Sequence, residues 1–323
     1  MPETLTQRIL SARGPRHQVD PWKPWHFLNE PEFSRDGLLE DVSTIFLTNR
    51  ECPFHCLMCD LWKNTTTETV PSGAIPSQIE YALSRLTPSR HVKLYNSGNF
   101  FDERAIPVVD WPAIARQVTH FDTVIVENHP RFCSSACGDF QQLCQTQLEV
   151  ALGLETAHEP TLARLNKQMT VADFTAACRQ LRHQQILIRC FILLKPPGTS
   201  ESEGIERALQ SLRLAFDCGA SVCSVIPVRG GNGIMEQLAQ QGDYQPPRLS
   251  SLETVLSEAL SWGCGRVFGD LWDVQQFADG SDAAVQLERL TRLNREQCSK
   301  KGSGTNSAKH PSGHLAIGSC PLL

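Results

Sequence analysis

Apolar and polar positions follow two alternating patterns along the chain. Short runs rich in aliphatic and β-branched residues recur at VSTIFLT (42–48), HVKLYN (91–96), DTVIVEN (122–128), QLEVALGL (147–154), ILIRCFILL (186–194) and SVCSVIPV (221–228). Most are near-continuous, as expected of parallel strands covered on both faces. Between them the period lengthens to that of a helix. Residues 76–86 open on Pro76 and Ser77, and residues 104–118 follow Asp102 and Glu103. Residues 170–183 begin at Thr170 with Asp173 three positions on, a capping box with Asp in place of Glu. Residues 201–216 place Ile205, Ala208, Leu209, Leu212 and Phe216 on one face. Six strand–helix units in succession predict a parallel α/β fold. Right-handed crossovers either close such units into a barrel or wind them into an open sheet, and the pattern is compatible with both.

Residues 41–248 make up this core. A helix at 249–261, a strand at GRVFGD (265–270) and a helix near 282–297 follow without a low-complexity linker. Residues 249–298 are therefore expected to pack on the core as a short C-terminal α/β extension. Residues 1–40 read as an N-terminal arm. The tail 299–323, rich in Gly, Ser and Lys, buries too little to order itself and is predicted to be disordered.

Composition narrows the class. The 323 residues suffice for a sizeable core, and 41% hydrophobic with 20% charged residues describe a globular chain. No run of about 18 apolar residues is present, so no membrane span is expected. The N-terminus MPETLTQRILSARG lacks the apolar stretch of a secretory signal, so the expected location is the cytoplasm. The net charge of −5 argues against a globally basic nucleic-acid binder. A local basic patch remains: Arg8, Arg13, Arg16 and Lys23, with His17 and His26, face only Asp20. It is either a solvated arm or a contact to substrate or RNA. Thirteen cysteines in a cytosolic chain do not predict a disulfide framework. Cys178, Cys190, Cys218, Cys223 and Cys264 lie in apolar or helical contexts and read as small core residues.

The exception is NRECPFHCLMCDLW (49–62), where Cys52, Cys56 and Cys59 crowd into one loop directly after the first strand. In a parallel barrel this loop would stand at the C-terminal face, where such folds keep their chemistry. Zinc needs four ligands, commonly two separated pairs, and no second pair is evident. A redox pair of Cys56 and Cys59 would leave Cys52 unexplained. Three thiolates without a fourth fit a [4Fe–4S] cluster with one open iron. Zinc, or three clustered structural thiols, are the alternatives.

C-x3-C-x2-C after the first strand of such a chain resembles the radical SAM superfamily. That resemblance implies a partial (β/α)6 TIM-like barrel, with the cluster on Cys52, Cys56 and Cys59. It implies S-adenosylmethionine chelating the open iron and cleaved reductively to a 5′-deoxyadenosyl radical. It also implies an electron donor of flavodoxin or ferredoxin type. Met58 stands where the superfamily often has an aromatic near the adenine. Ser97, Gly98 and Asn99 of YNSGNFFDE stand where it has a Gly-rich turn for the cofactor's amino group. VENHPRFC (126–133) is similar to E-T-R-P-D-Y-C of the Elongator catalytic subunit: Glu127 and Pro130 match, and His129 replaces the arginine. Glu155 in GLET looks like the polar residue near the ribose or methionine moiety; the plainer reading is a charge at a helix start.

GLETAHEPTLARLNKQMTVADF, LLKPPGTSESEG, VIPVRGGNGIMEQLA and RVFGDLWD together look like the archaeosine-synthase radical SAM subunit and its bacterial relatives. The resemblance spans roughly residues 40 to 297 and implies a modified tRNA nucleoside as substrate, reached directly or through a tRNA-binding partner protein. The extra cysteines of that branch after DLWD are missing here, leaving only Cys298. Lys195 and Arg229 are further candidates for cofactor or substrate anions, against the plainer readings of a strand-end lysine and a turn residue. Asn232 sits with Arg229 in PVRGGNG, where glycines let the backbone come close, and Asp270 and Asp273, around Trp272, either line the same mouth or cap the segment. Cys133 and Cys137 are a candidate auxiliary cluster pair. Asn166 and Lys167 read as a helix junction with a possible contact on the cofactor side. A small metabolite is the other substrate class, and a non-catalytic iron–sulfur or zinc-binding module is the contrasting reading of the whole chain.

Overall fold

The computed structural model describes residues 3–277 and 282–298. The tail for which disorder is predicted lies outside them. The order of elements is α1 (Leu5–Ser11), β1 (His26–Phe33), β2 (Leu39–Phe46), α2 (Ala74–Leu83), β3 (His91–Tyr95), α3 (Trp111–Val118) and β4 (Thr123–Asn128). There follow α4 (Ser135–Cys144), β5 (Gln147–Glu155), α5 (Glu159–Arg164), α6 (Val171–His183), β6 (Leu187–Leu194) and α7 (Glu201–Asp217). The chain continues through β7 (Val222–Pro227), α8 (Ile234–Gln241), α9 (Leu249–Ser261), β8 (Arg266–Gly269) and α10 (Ala283–Glu296).

All eight strands join one sheet in sequence order, β1 to β8. Strands β2 to β8 are parallel to their neighbours, and β1 is antiparallel to β2. An unbroken sequential order is that of a barrel; a doubly wound sheet would reverse at a switch point. β1 and β8 remain as edges, so the barrel is partial. The capping box of Thr170 and Asp173 is present. Residues 1–40 are more than an arm: they hold α1 and the strand β1. Helix α3 starts at Trp111, later than expected, because residues 99–110 form turns at the mouth of the barrel.

Alternation sorts the strand residues. Val92, Leu94, Val124, Val126, Leu152, Ile192 and Val225 face the helices and are buried in one core. Their neighbours face inward. At the N-terminal end of the barrel these neighbours are charged. Lys93 Nζ lies 2.9 Å from Glu30 Oε1 and 2.6 Å from Glu32 Oε2. Arg189 reaches Glu32 at 2.5 Å and Glu149 at 2.6 Å. Burial works against the Glu32 charge, but Arg189 and Lys93 outweigh it and hold the carboxyl well below the usual range. A cavity of about 230 Å³ opens beneath this floor, lined in part by Ser34, Arg35, Arg90 and His91. It lies at the N-terminal strand ends, the face that in such barrels serves stability, and away from the cysteine loop.

Candidate active site

The cysteine loop leaves β2 at the C-terminal mouth and is pinned by backbone contacts from three directions. Leu57 N–H donates to Leu165 O at 2.9 Å. Asn166 Nδ2 donates to His55 O at 2.7 Å. Asn232 Nδ2 donates to Leu57 O at 2.7 Å and Cys59 O at 3.3 Å. Two members of the N-terminal basic patch are spent here rather than solvated. Arg13 pairs with Glu51 at 2.6 Å, and Arg16 pairs with the same carboxylate and donates to Trp62 O at 2.7 Å. Both guanidinium groups sit over the Trp62 ring, 4.6 and 5.7 Å from its centroid.

Cys52, Cys56 and Cys59 are free thiols. Cys56 is buried and the other two are half-buried. Burial pushes the Cys56 thiol up to about 12, against the pull of Lys167, and raises Cys52 and Cys59 as well. Thiols so placed become good ligands only when a metal's charge displaces their protons. Asn99 Nδ2 donates to Cys52 Sγ at 3.2 Å, a bond that favours the thiolate. Among the described residues no three His, Cys, Asp or Glu side chains form a group that could hold a metal ion. Three thiols on one loop match in number the three thiolates that a [4Fe–4S] cluster with one open iron takes.

Beside the loop, β3 ends in a tight turn. The residue with left-handed backbone is Ser97, at φ 51°, not Gly98. Glu127 Oε1 accepts from Asn96 N–H at 2.6 Å and Gly98 N–H at 3.3 Å. Burial lifts this carboxyl to about 7, against those amides. Among the described residues no hydrogen bond takes the Ser97 or Gly98 carbonyl. Asn96 is fully buried, and its Oδ1 and Nδ2 have no partner. Unpaired buried polar atoms of this kind call for a partner, and Asn96 Oδ1 and the free carbonyls of the turn can accept from one with donor groups.

On the next side stands a buried ion pair, Lys167 Nζ to Glu155 Oε1 at 2.6 Å. Burial opposes the Lys167 charge, but Glu155 and Cys56 overcome it and push the ammonium up. Glu155 has φ 65° and ends β5 with a register shift against β6. His129 lies between this pair and the loop. Its ring stacks on Phe54 at 4.0 Å, and burial together with Lys167 lowers it to about 3. Arg131 N–H donates to its Nδ1 at 3.2 Å, so the neutral ring carries its proton on Nε2 and donates to Lys167 O at 3.0 Å. The histidine in the arginine's place is thus a neutral spacer.

The Glu155–Lys167 pair needs Gly153, because a methyl there would collide with Glu155 Oε1 and Lys167 Nζ. Gly153→Ala is expected to lower stability by about 1–3 kcal/mol, as small-to-large changes in packed sites do. Chemical denaturation checks this; an unchanged midpoint would show that the pair is not held as described.

The remaining candidates are placed as follows. Lys195 has φ 56°, which turns its side chain toward α7, where it pairs with Glu201 at 2.7 Å and donates to Pro246 O at 3.2 Å. It is not brought to the cysteine loop. Arg229 is tied to Asp270 and to Trp272 O at 2.8 Å, on the rim. Asp273, at φ 52°, follows in the same rim turn. Met58 packs with Leu57, Leu165 and Leu193 in a small second core. Cys133 Sγ accepts from Asn128 Nδ2 at 3.7 Å, and Cys133 and Cys137 have no third metal donor among the described residues. The signals missed in sequence were Asn96, whose isolation only the fold reveals, and the ionic link of Lys167 to Glu155.

No protein-family model matches the chain. An uncharacterised protein of Methanocaldococcus jannaschii is 25% identical over 270 residues, covering 79% of this chain and 73% of its own. The archaeosine synthase subunit beta of Methanosarcina acetivorans is 27% identical over 252 residues, covering 72% of each. Among solved structures, the archaeal Elp3 of Methanocaldococcus infernus with an N-terminal deletion superposes with a TM-score of 0.52 at 17% identity. That match takes in 67% of this chain and 57% of the other, less than two thirds of its length. The expected resemblance to the archaeosine synthase subunit holds in these comparisons, and the partial-barrel fold is shared with the Elp3 structure.

Proposed function

We propose that this chain is a radical SAM enzyme that acts on a modified tRNA nucleoside. The observation that carries the reading is the pinned loop of three thiols beside a turn with open carbonyls and an unpartnered Asn96. Cys52, Cys56 and Cys59 would hold a [4Fe–4S] cluster. When bound, that cluster supplies the electron that cleaves S-adenosylmethionine to methionine and a 5′-deoxyadenosyl radical. The Ser97 and Gly98 carbonyls would accept from the cofactor's ammonium, and Glu127 holds the turn that would present them. Glu155, oriented by Lys167, would serve the methionine or ribose part. The reaction would draw its electron from a donor of flavodoxin or ferredoxin type. The substrate class rests on the likeness to an archaeosine synthase subunit, and tRNA arrives directly or through a partner protein. No helix among the described residues is long and apolar enough to cross a membrane.

Two measurements test this. Anaerobically reconstituted protein should form 5′-deoxyadenosine when reduced with S-adenosylmethionine. A protein that binds iron but never forms it is a metal-binding module instead. Mass spectrometry of tRNA nucleosides from cells with and without the gene should reveal one modified nucleoside that is lost or stalled. Identical nucleoside profiles would move the substrate to a small metabolite.

A further inference from the structure

The barrel interior above its ionic floor is not filled. Inward-facing Phe46, Tyr95, Phe191 and Ser224 are only half-buried, while their outward neighbours Ile45, Leu94, Ile192 and Val225 are wholly buried. A packed barrel would bury both sets. The upper interior is therefore an open cleft. Its wall is a chain of rings. Phe46 and Tyr95 lie 6.1 Å apart at 65°, and Tyr95 and Phe191 lie 6.2 Å apart at 81°. An edge-on contact takes up a face of only one of its two rings, and Phe46 is also covered by Trp25 at 5.0 Å and His26 at 5.9 Å, so the faces left for a planar ligand are chiefly those of Tyr95 and Phe191. The chain reaches the surface through Trp272, which is 6.4 Å from Phe46 and 48% exposed.

Two hydroxyls add direction. Among the described residues nothing hydrogen-bonds the Tyr95 or Ser224 hydroxyl, and both belong to inward-facing positions. Burial pushes the Tyr95 phenol up to about 12, so it remains a donor at neutral pH. The charges are already matched: Lys93 and Arg189 below are paired with Glu30, Glu32 and Glu149, and Arg229 at the rim with Asp270. Among the described residues a phosphate or carboxylate would find no unpaired lysine or arginine along this wall. Position agrees with reactivity. Tyr95 immediately precedes Asn96 and Ser97 of the turn assigned to the cofactor, and Phe191 pairs in register with Gly153, two residues before Glu155.

We propose that this cleft binds an uncharged planar heteroaromatic ring, the base of the second substrate, stacked on Tyr95 and Phe191 and read by the Tyr95 and Ser224 hydroxyls. The proposal rests on the radical SAM reading, which makes this cleft the place where the radical meets its target. Base–aromatic stacking supplies the affinity, and the hydroxyls supply orientation.

The test titrates anaerobic, cluster-loaded protein with guanosine and, separately, with ribose. Saturating S-adenosyl-L-homocysteine is present, so that purine cannot simply enter the cofactor's place. Guanosine is expected to bind and ribose not to. Phe191→Leu should weaken guanosine by roughly ten-fold, the loss of one stacking partner, and Trp272→Ala, which strips the outer end of the ring wall, should weaken it as well. Trp272 is exposed, so its replacement keeps the test valid if the Phe191 variant misfolds. Equal binding of ribose and guanosine, or wild-type affinity in both variants, overturns the proposal. Wild-type protein that binds guanosine but never yields 5′-deoxyadenosine sinks the radical reading and leaves the ring site standing.

Discussion

Cys56→Ala is expected to abolish cluster loading and 5′-deoxyadenosine formation together, by at least about a hundred-fold, or roughly 3 kcal/mol in the barrier. The reason is geometric. The loop offers three thiols, and Asn166, Asn232 and Leu165 hold its carbonyls and amides in place. The fold itself should survive, because the change removes one sulfur atom from a site built mainly by backbone bonds. The loss of one buried methylene-sized group costs about 1 kcal/mol. The measurements are iron per chain, the visible absorbance of the reconstituted protein and product by chromatography. Cys133→Ala is the control: its thiol lies outside the loop and accepts from Asn128 Nδ2 at 3.7 Å, so iron content should stay at the wild-type value. A Cys56→Ala protein with an unchanged spectrum would remove the ligand assignment altogether.

The sequence is most legible where one local pattern suffices. Strands β2 to β7 were readable because each is an apolar run closed by turn residues, and the cysteine loop because its spacing is self-contained. β1 was not. HFLNEPEF places Glu30 and Glu32 on the inward face and Pro31 between them, a pattern that reads as an exposed arm. Those carboxylates become interior groups only because Lys93 and Arg189, some sixty and more than a hundred and fifty residues away, meet them across the barrel. Helix α4 was unread for a different reason: SACGDFQQLC carries small and thiol residues where a helix normally shows larger apolar ones. At the site, alternation would send Lys195 inward, but its left-handed backbone turns the side chain onto α7. Single left-handed residues of this kind leave no trace in a hydrophobic pattern, and Ser97 and Glu155 belong with it. Their clustering at the ends of β3, β5 and β6 indicates that the mouth is shaped by backbone constraint as much as by side-chain type.

The charged floor leads to the largest expected stability effect. Arg189→Met removes the one side chain that faces both Glu32 and Glu149. Glu32 keeps Lys93 at 2.6 Å, but Glu149 is left with Arg266 at 3.8 Å. Removing one member of a buried ionic group typically costs about 3–5 kcal/mol, because an uncompensated charge stays in a poorly solvated place. In a chain of this size that is an apparent melting temperature lower by roughly 10 °C. The pH dependence tells this from simple loss of packing. In the wild-type protein the depressed Glu32 carboxyl contributes stability that is complete above the unfolded value of about 4.3 and fades only as pH falls through the lower folded value. Between pH 7 and 5 the wild-type protein should therefore change little on this account. In the variant Glu32 keeps only Lys93, so the share of this stability that came from Arg189 is missing. The gap between the two proteins should hold from pH 7 to pH 5 and narrow as pH falls below about 4.3, where the wild-type advantage at Glu32 is lost. Adding Glu149→Gln to the variant should restore part of the loss at pH 7, since it removes the orphaned charge. A gap that stays constant with pH would mean that Arg189 acts through its hydrocarbon stem alone, and that β1 is held to the barrel by its backbone ladder without help from the floor.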